Sequence, residues 1–133
     1  MSDFDDIANR FGGGERSLKK LCAGLRDYFS PKIIGEVNDV YIKIAKIKGD
    51  DLPWHSHDNE DEMFYIIRGC LTMELENEES FVLNDGDFYI VKRGVKHRVH
   101  SEKECWNLLV EPKETRHTGD VRSKITRSIE EQM

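Results

Sequence analysis

The sequence has few cysteines and no long apolar segment, and each absence argues against a class of protein. Its three cysteines, Cys22, Cys70 and Cys105, are odd in number and far apart, and none belongs to a CxxC pair. A disulfide framework or a zinc ribbon is therefore not indicated. No apolar run approaches the roughly 20 residues that span a bilayer, so a membrane-spanning protein is not indicated either.

The sequence also lacks an excess of basic residues. Lys and Arg number 20 against 26 Asp and Glu, which gives a formal net charge of −6. A chain without a basic field is not expected to attract nucleic acid or an anionic membrane. The first six residues, MSDFDD, are acidic, whereas a secretory signal begins with basic residues. We therefore expect a reduced, cytoplasmic protein with no nucleic-acid and no membrane partner.

Short apolar or alternating segments make up the middle of the chain. Three of them stand out, at residues 40–47, 63–67 and 71–76. Their periodicity is typical of strands that are half or fully buried. Turn residues separate the segments at 49–51, 68–69, 77–79, 84–86 and 93–94. Many short strands with closely spaced turns predict a single all-β domain, an antiparallel sandwich or barrel.

The first thirty residues follow a different pattern. Apolar residues recur there at intervals of three and four: Leu18, Leu21, Cys22, Leu25 and Phe29. This spacing predicts an amphipathic helix that follows the glycines at 12–14 and packs on the barrel or on a partner subunit. Pro31 should end the helix, because the residue before a proline disfavours helical geometry.

The segment after Pro112 mixes basic and acidic residues and includes His117. It could make an electrostatic contact, but a short mixed-charge tail is usually solvated or lies along a neighbouring subunit. We expect the solvated tail or arm rather than the electrostatic contact. The predicted organisation is a helical arm at 1–30, a barrel at 31–112 and a tail at 113–133.

Three histidines and one glutamate are the candidate metal ligands: His55, His57, Glu62 and His97. Alternate side chains share one face of a strand, so the HxH pair points both imidazoles the same way. The acidic interval at 58–61 is polar enough to form a loop, and Glu62 then faces the first two ligands. The competing interpretation is that these residues are only polar groups of a cavity.

The spacing around these residues resembles the paired motifs of the cupin superfamily, G(X)5HXH(X)3–4E(X)6G and G(X)5PXG(X)2H(X)3N. The first block runs here from Gly49 to Gly69 and the second begins at Gly86. Every ligand position is filled, whereas Lys92 stands where proline is usual and Ser101 where asparagine is usual. The sequence around these motifs is most similar to that of the small single-domain cupins of the Cupin_2 type.

The resemblance implies a double-stranded β-helix, or jelly-roll barrel, with one divalent metal ion held by the four candidate ligands. Nitrogen and oxygen ligands without thiolate suit Fe, Mn or Ni, with Zn also possible. Resemblance to small cupins also implies a homodimer, formed through the barrel sheet and an exchanged N-terminal strand for which residues 31–40 could serve.

Two classes of function remain open. The first is a metal-dependent enzyme that acts on a small molecule, either a dioxygenase of a chelating substrate or an isomerase or lyase of a sugar or keto acid. The sequence shows no separate general base and identifies no catalytic residue beyond the ligands, which favours the oxidation. The second class is a non-catalytic small-molecule or metal-binding module, although the chain has no room for a DNA-binding domain.

Strand alternation predicts the surroundings of the ligands. Phe64 and Ile66 share the inward face of Glu62 and should line a cavity or the core, whereas His100 should point outward from the strand that begins at His97. Two other side chains have competing interpretations. Trp54 is expected at the rim rather than as a gate, and Cys105 as a buried, inert thiol rather than a reactive one.

Overall fold

The computed structural model describes residues 16–115, 118–119 and 126–133, and strands dominate this part of the chain. In chain order the elements are α1 (Leu18–Ala23), β1 (Lys32–Val37), β2 (Val40–Gly49), β3 (Glu62–Arg68), β4 (Cys70–Leu75), β5 (Phe81–Asn84), β6 (Phe88–Val91), β7 (His97–Pro112) and α2 (Ile129–Gln132). These strands all pair antiparallel. The predicted all-β architecture is confirmed.

The long strand β7 joins two sheets and thereby closes the barrel. Its second half lies between β2 and β3 in the order β1-β2-β7-β3-β6. Its first half pairs with β4, in a register that places Leu75 opposite His97, and β4 pairs in turn with β5. The interior holds an apolar cluster, in which Phe64 and Ile66 are buried as strand alternation predicted.

The turns at Gly69 and Gly94 lie at the positions predicted from the sequence. Gly69 connects β3 to β4 with a φ of +97°, and Gly94 precedes β7 with a φ of +80°. Glycine adopts this left-handed region without the steric penalty of a Cβ atom. None of the described helices is long and apolar enough to cross a membrane.

The N-terminal helix is shorter than predicted. It packs on the barrel, where Cys22 contacts the cluster of Ile44 and Trp106, but it ends at Ala23 and Gly24 caps it. Phe29 lies beyond the helix with a φ of +54° and is buried inside the barrel. The prediction of a helix to Pro31 was wrong, because burial of the Phe29 ring among the strands outweighs continuation of the helix past a glycine.

The prediction of a solvated C-terminal tail holds only in part for the residues that the structure describes, since Glu114, Ser128, Glu130 and Glu131 are exposed. Thr115, Thr118 and Gln132 are completely buried, and α2 packs against β1. Lys32 Nζ donates a hydrogen bond to the carbonyl oxygen of Glu131, 3.1 Å away. His117 and the basic residues around it lie outside the described residues.

Candidate metal centre

The four candidate ligands meet inside the barrel. Glu62 and His97 are the first residues of β3 and β7, while His55 and His57 lie in the connection between β2 and β3. One ligand atom from each residue lies within 4.8 Å of the others, and all four side chains are buried. We had expected the HxH pair to lie in a regular strand, and this prediction was wrong. His55 forms only a single bridge, to His97, and neither histidine of the pair belongs to one of the strands.

Backbone carbonyls fix the orientation of two of the imidazoles. His55 Nδ1 lies 2.8 Å from the oxygen of Pro53, and His97 Nδ1 lies 2.9 Å from the oxygen of Val95. A carbonyl oxygen only accepts hydrogen bonds, so each Nδ1 carries the hydrogen and a neutral ring leaves its lone pair on Nε2. This is the usual arrangement of a metal-binding histidine.

The Glu62 carboxylate supplies the negative charge of the cluster. Its Oε1 atom lies 3.5 Å from the Nε2 atoms of both His57 and His97. Burial alone would raise the pKa of Glu62, but the neighbouring Glu111 carboxyl group and the two nearby imidazoles hold it well below its usual value. Burial and the neighbouring Glu62 charge raise the pKa of Glu111 well above its usual value. Glu62 is therefore ionised and Glu111 keeps its proton.

The first imidazole is kept neutral. Burial and the nearby His97 ring lower the pKa of His55 to about 4, so its Nε2 lone pair is available at neutral pH. His97 Nε2 is also buried and has no hydrogen-bond partner among the described residues. A buried nitrogen lone pair beside a carboxylate is unfavourable unless something binds it. The cluster therefore fits a divalent cation, and its three nitrogen donors and one oxygen donor suit Fe, Mn, Ni or Zn.

A small, mostly apolar cavity adjoins the cluster. Its walls are formed by Phe29, Pro31, Ala45, Ile47, Leu52, His55, Glu62, Phe64, Val99, Asn107 and Leu109. The free volume of about 30 Å³ has room for about two water molecules. Phe64 lines the cavity as predicted, whereas Ile66 belongs to the core behind it. Because Phe29 and Pro31 form part of the wall, the N-terminal segment limits the size of the cavity.

Asn107 is a cavity residue that sequence reasoning missed. Its side chain is fully buried, and neither amide atom has a hydrogen-bond partner among the residues the structure describes. Leaving such a group unsatisfied costs about 1–3 kcal/mol. An amide inside the otherwise apolar run at 105–110 was the signal that could have identified it. It is the polar group of the cavity wall that lies outside the ligand cluster.

Asp61 supports the turn in which Lys92 replaces the usual proline. Its carboxylate accepts hydrogen bonds from Lys92 Nζ at 2.8 Å and from the Arg93 amide at 2.9 Å. The Gly94 amide donates to the oxygen of His57, 2.8 Å away. These contacts tie the β6–β7 turn to the HxH segment, so the turn is held without the proline ring.

Ser101 occupies the second position at which the chain departs from the motif. Its hydroxyl oxygen lies 2.8 Å from the carbonyl oxygen of Cys70 and donates to it. This bond joins β7 to the β3–β4 turn, so the smaller hydroxyl still links two segments of the barrel. Neither departure from the motif disturbs the four ligand positions.

Three other side chains that the sequence analysis considered lie outside the ligand cluster: His100, Trp54 and Cys105. His100 is partly exposed on the outer face of β7, where its Nε2 atom lies 3.6 Å from Glu74 Oε2. Trp54 packs against the guanidinium of Arg98, whose Cζ atom lies 5.2 Å from the ring centre, and it does not line the cavity. Burial raises the pKa of the Cys105 thiol to about 12, so this cysteine is inert.

Comparison with known proteins agrees with this architecture. The family model described as "Cupin domain", Cupin_2, matches residues 46–111. The protein YdbB of Bacillus subtilis is 35% identical over 81 residues, which are 61% of this chain and 71% of that protein.

Solved structures show the same fold. A cupin-2 domain containing protein from Shewanella frigidimarina has a TM-score of 0.71 at 26% identity, over 79% of this chain and 98% of that one. A protein from Klebsiella pneumoniae with a double-stranded β-helix domain has a TM-score of 0.60 at 17% identity, over 75% and 90% of the two chains. The predicted jelly-roll barrel is confirmed, and the chain belongs to the Cupin_2 family.

Proposed function

We propose that this protein is a metal-dependent enzyme that oxidises a small chelating molecule with dioxygen. The observation that carries the proposal is the convergence of His55, His57, Glu62 and His97 beside a cavity whose wall is mostly apolar. Four protein ligands leave positions of a six-coordinate Fe, Mn or Ni ion open for other groups. Such an ion would supply the redox chemistry, while the chain would supply orientation and exclusion of water.

Because the free volume is about 30 Å³, an organic substrate fits only when residues of the wall move apart. The wall itself favours a substrate with an apolar body. Beyond the ligand cluster, Asn107 is its polar side chain, and the neighbouring wall is formed by groups such as Leu52, Phe64 and Leu109. The Asn107 amide can donate one hydrogen bond and accept another, which suits an enol, a diketone or a catechol-like head group. A polyhydroxylated sugar would leave hydroxyls unsatisfied against the apolar wall.

An isomerase or lyase of a sugar or keto acid is the alternative enzyme. That chemistry needs a base that removes a proton from carbon, and among the described residues the titratable side chains that line the cavity are the candidate ligands His55 and Glu62. Because Glu111 holds its proton beside Glu62, it is poorly suited to act as that base. This favours the oxidation over the alternative.

Oxygen uptake tests the proposal directly. Protein loaded separately with Fe²⁺, Mn²⁺ or Ni²⁺ is mixed with a panel of diketones, catechols and flavonols, and dissolved oxygen is recorded. We expect uptake with at least one pair of metal and substrate, and its loss in His57→Ala. His100→Ala, which removes an imidazole from the outer face of the same barrel, is the matched control and should retain activity.

Other outcomes assign the protein to another class. Uptake that His57→Ala leaves unchanged would rule out oxidation at this cluster. Conversion of a sugar or keto acid without oxygen would favour the isomerase or lyase. A compound that raises the melting temperature of the metal-loaded protein and is not consumed would favour a non-catalytic binding module.

We also propose a cytoplasmic location. Cys22, Cys70 and Cys105 are all free thiols, as is usual for proteins of reducing compartments. Cell fractionation with an antibody against the protein tests this, and recovery in a secreted or membrane fraction would contradict it.

A further inference from the structure

A buried lysine lies inside the barrel close to the candidate metal centre. Lys43 belongs to β2 and is completely buried. Its Nζ atom lies 2.8 Å from Glu111 Oε1, near the end of β7, and donates a hydrogen bond to Gln132 Oε1, 2.6 Å away in α2. Three segments that are distant in sequence therefore meet at one ammonium group.

The contacts continue from this lysine to a candidate ligand. Glu111, also fully buried, is the cross-strand neighbour of Glu62, because Met63 pairs with Val110 and the next residues along these two antiparallel strands are Glu62 and Glu111. The series Gln132, Lys43, Glu111 and Glu62 thus leads from the C-terminal helix to the metal centre. Burying an ammonium group is unfavourable unless hydrogen-bonding partners satisfy it. Gln132 contacts the ammonium on one side, and Glu111 contacts it on the other.

We propose that Lys43 and Glu111 are positioning residues that orient the Glu62 carboxylate toward the three histidines, and that Gln132 holds Lys43 in place. The inference rests on the proposed function, because it assumes that the cluster binds metal. A ligating carboxylate is usually held by hydrogen bonds from a surrounding shell of residues. Here that shell includes the last helix of the described chain, so the C-terminal segment contributes to metal affinity.

The helix itself does not depend on this contact. The Ser128 hydroxyl accepts a hydrogen bond from the Glu131 amide, and the Glu131 side chain accepts one from the Ser128 amide, which forms a capping box. Lys32 anchors the same turn to β1 through the carbonyl oxygen of Glu131. Removing the Gln132 amide should therefore release Lys43 while α2 keeps its place.

Binding of Co²⁺ to the full-length protein tests the proposal, because the visible spectrum of this ion reports the geometry of its ligands. We compare the wild type, Lys43→Met and Gln132→Met, which remove polar groups at similar volume, by competition with a chelator. Lys113→Met is the matched control. This variant also removes a lysine that contacts a glutamate, because Lys113 Nζ lies 2.7 Å from Glu36 Oε2. Both side chains of that pair are partly exposed.

We expect Lys43→Met to weaken Co²⁺ binding by about 10- to 100-fold and to change the Co²⁺ spectrum. Gln132→Met should do the same to a smaller extent, Gln132→Glu should restore binding because it still accepts from Lys43, and Lys113→Met should match the wild type. A purely structural role would lower the melting temperature of the metal-free protein but leave the dissociation constant and spectrum of the folded protein unchanged.

The outcomes separate this inference from the proposed function. Co²⁺ binding by the wild type that Lys43→Met and Gln132→Met leave unchanged would overturn the positioning role alone. If Lys43→Met does not fold, the pair Gln132→Met and Gln132→Glu decides by the same criterion. Failure of the wild type to bind Co²⁺, Fe²⁺, Mn²⁺, Ni²⁺ or Zn²⁺ would overturn the metal centre and the positioning role with it.

Discussion

His55 and His97 are joined through their backbones in both directions. The His55 amide donates to the oxygen of His97 at 3.0 Å, and the His97 amide donates to the oxygen of His55 at 2.8 Å. These two bonds connect the first block of the motif to the second. The distance between the two imidazoles is therefore set by main-chain pairing, and their ring centres lie 4.4 Å apart.

Replacement of one imidazole should remove the metal without unfolding the barrel. His97→Ala keeps both backbone bonds to His55 but deletes a ligand, so purified protein should lose bound metal. Elemental analysis of untagged protein prepared without chelator measures this, and circular dichroism checks the fold. His100→Ala should retain the wild-type metal content. Equal metal content in wild type and His97→Ala would show that the ion binds elsewhere.

The convergence of the four candidate ligands was predictable because the sequence resembles the paired cupin motifs. In those motifs the HxH pair, Glu62 and His97 stand at fixed spacings from turn glycines, and the structure brings the four side chains together. The strands were predictable from their periodicity, since β4 alternates buried and partly exposed residues from Leu71 to Leu75. Period and turn residues are properties of short segments, and a sequence shows them directly.

What the sequence did not reveal depends on contacts between distant segments. In β2, Ile44 is buried beneath α1 and Lys43 is buried inside the barrel, so both faces are covered and alternation no longer distinguishes inside from outside. The partner of Lys43 is Gln132, 89 positions away. Phe29 was assigned to a helix because its spacing fitted, whereas burial in the cavity determines its backbone. Tertiary contacts of this kind override local preference.

The cysteines should differ sharply in reactivity. Burial raises the pKa of Cys22 to about 11 and that of Cys105 to about 12, so both stay protonated at neutral pH, and only a thiolate attacks a disulfide reagent. Cys70 is exposed. We expect native protein to react with Ellman's reagent at Cys70 alone and the denatured protein at all three thiols. Rapid reaction of Cys70→Ser under native conditions would contradict the buried positions of the other two.

Truncation of Phe29 should enlarge the cavity. The ring is 4% exposed, and Phe→Ala in a core lowers the free energy of unfolding by about 3–5 kcal/mol. We also expect Co²⁺-loaded Phe29→Ala to bind dibenzoylmethane better than the wild type does, with little change for the smaller acetylacetone. Spectral titration measures both. Phe88→Ala, at a residue that is 61% exposed, is the control, and the same ligand preference in all three proteins would exclude Phe29 as a wall of the binding cavity.

The oligomeric state remains a prediction. A homodimer was expected through the barrel sheet and an exchanged N-terminal strand, but β1 pairs here with β2 of its own chain. Because β1 is the edge of its sheet, its open side can pair with another strand. We expect light scattering at micromolar concentration to give the mass of two chains, and the mass of one chain would contradict the dimer.

Gly119 should be the most sensitive glycine near the metal centre. A Cβ atom built on it would overlap the backbone oxygen of Ser56, the residue between His55 and His57, and the φ of Gly119 is +59°. Gly119→Ala combines this overlap with left-handed strain, and we expect a loss of about 1–3 kcal/mol in the free energy of unfolding together with weaker Co²⁺ binding.

The control for Gly119→Ala is Gly86→Ala. Gly86 has a φ of +83°, but a Cβ atom there would meet nothing within 4 Å, so this variant should show only the backbone strain, about 1–2 kcal/mol, and wild-type Co²⁺ affinity. Chemical denaturation and chelator competition measure the two quantities. If both variants bind Co²⁺ as the wild type does, the contact between Gly119 and the HxH segment does not shape the metal centre.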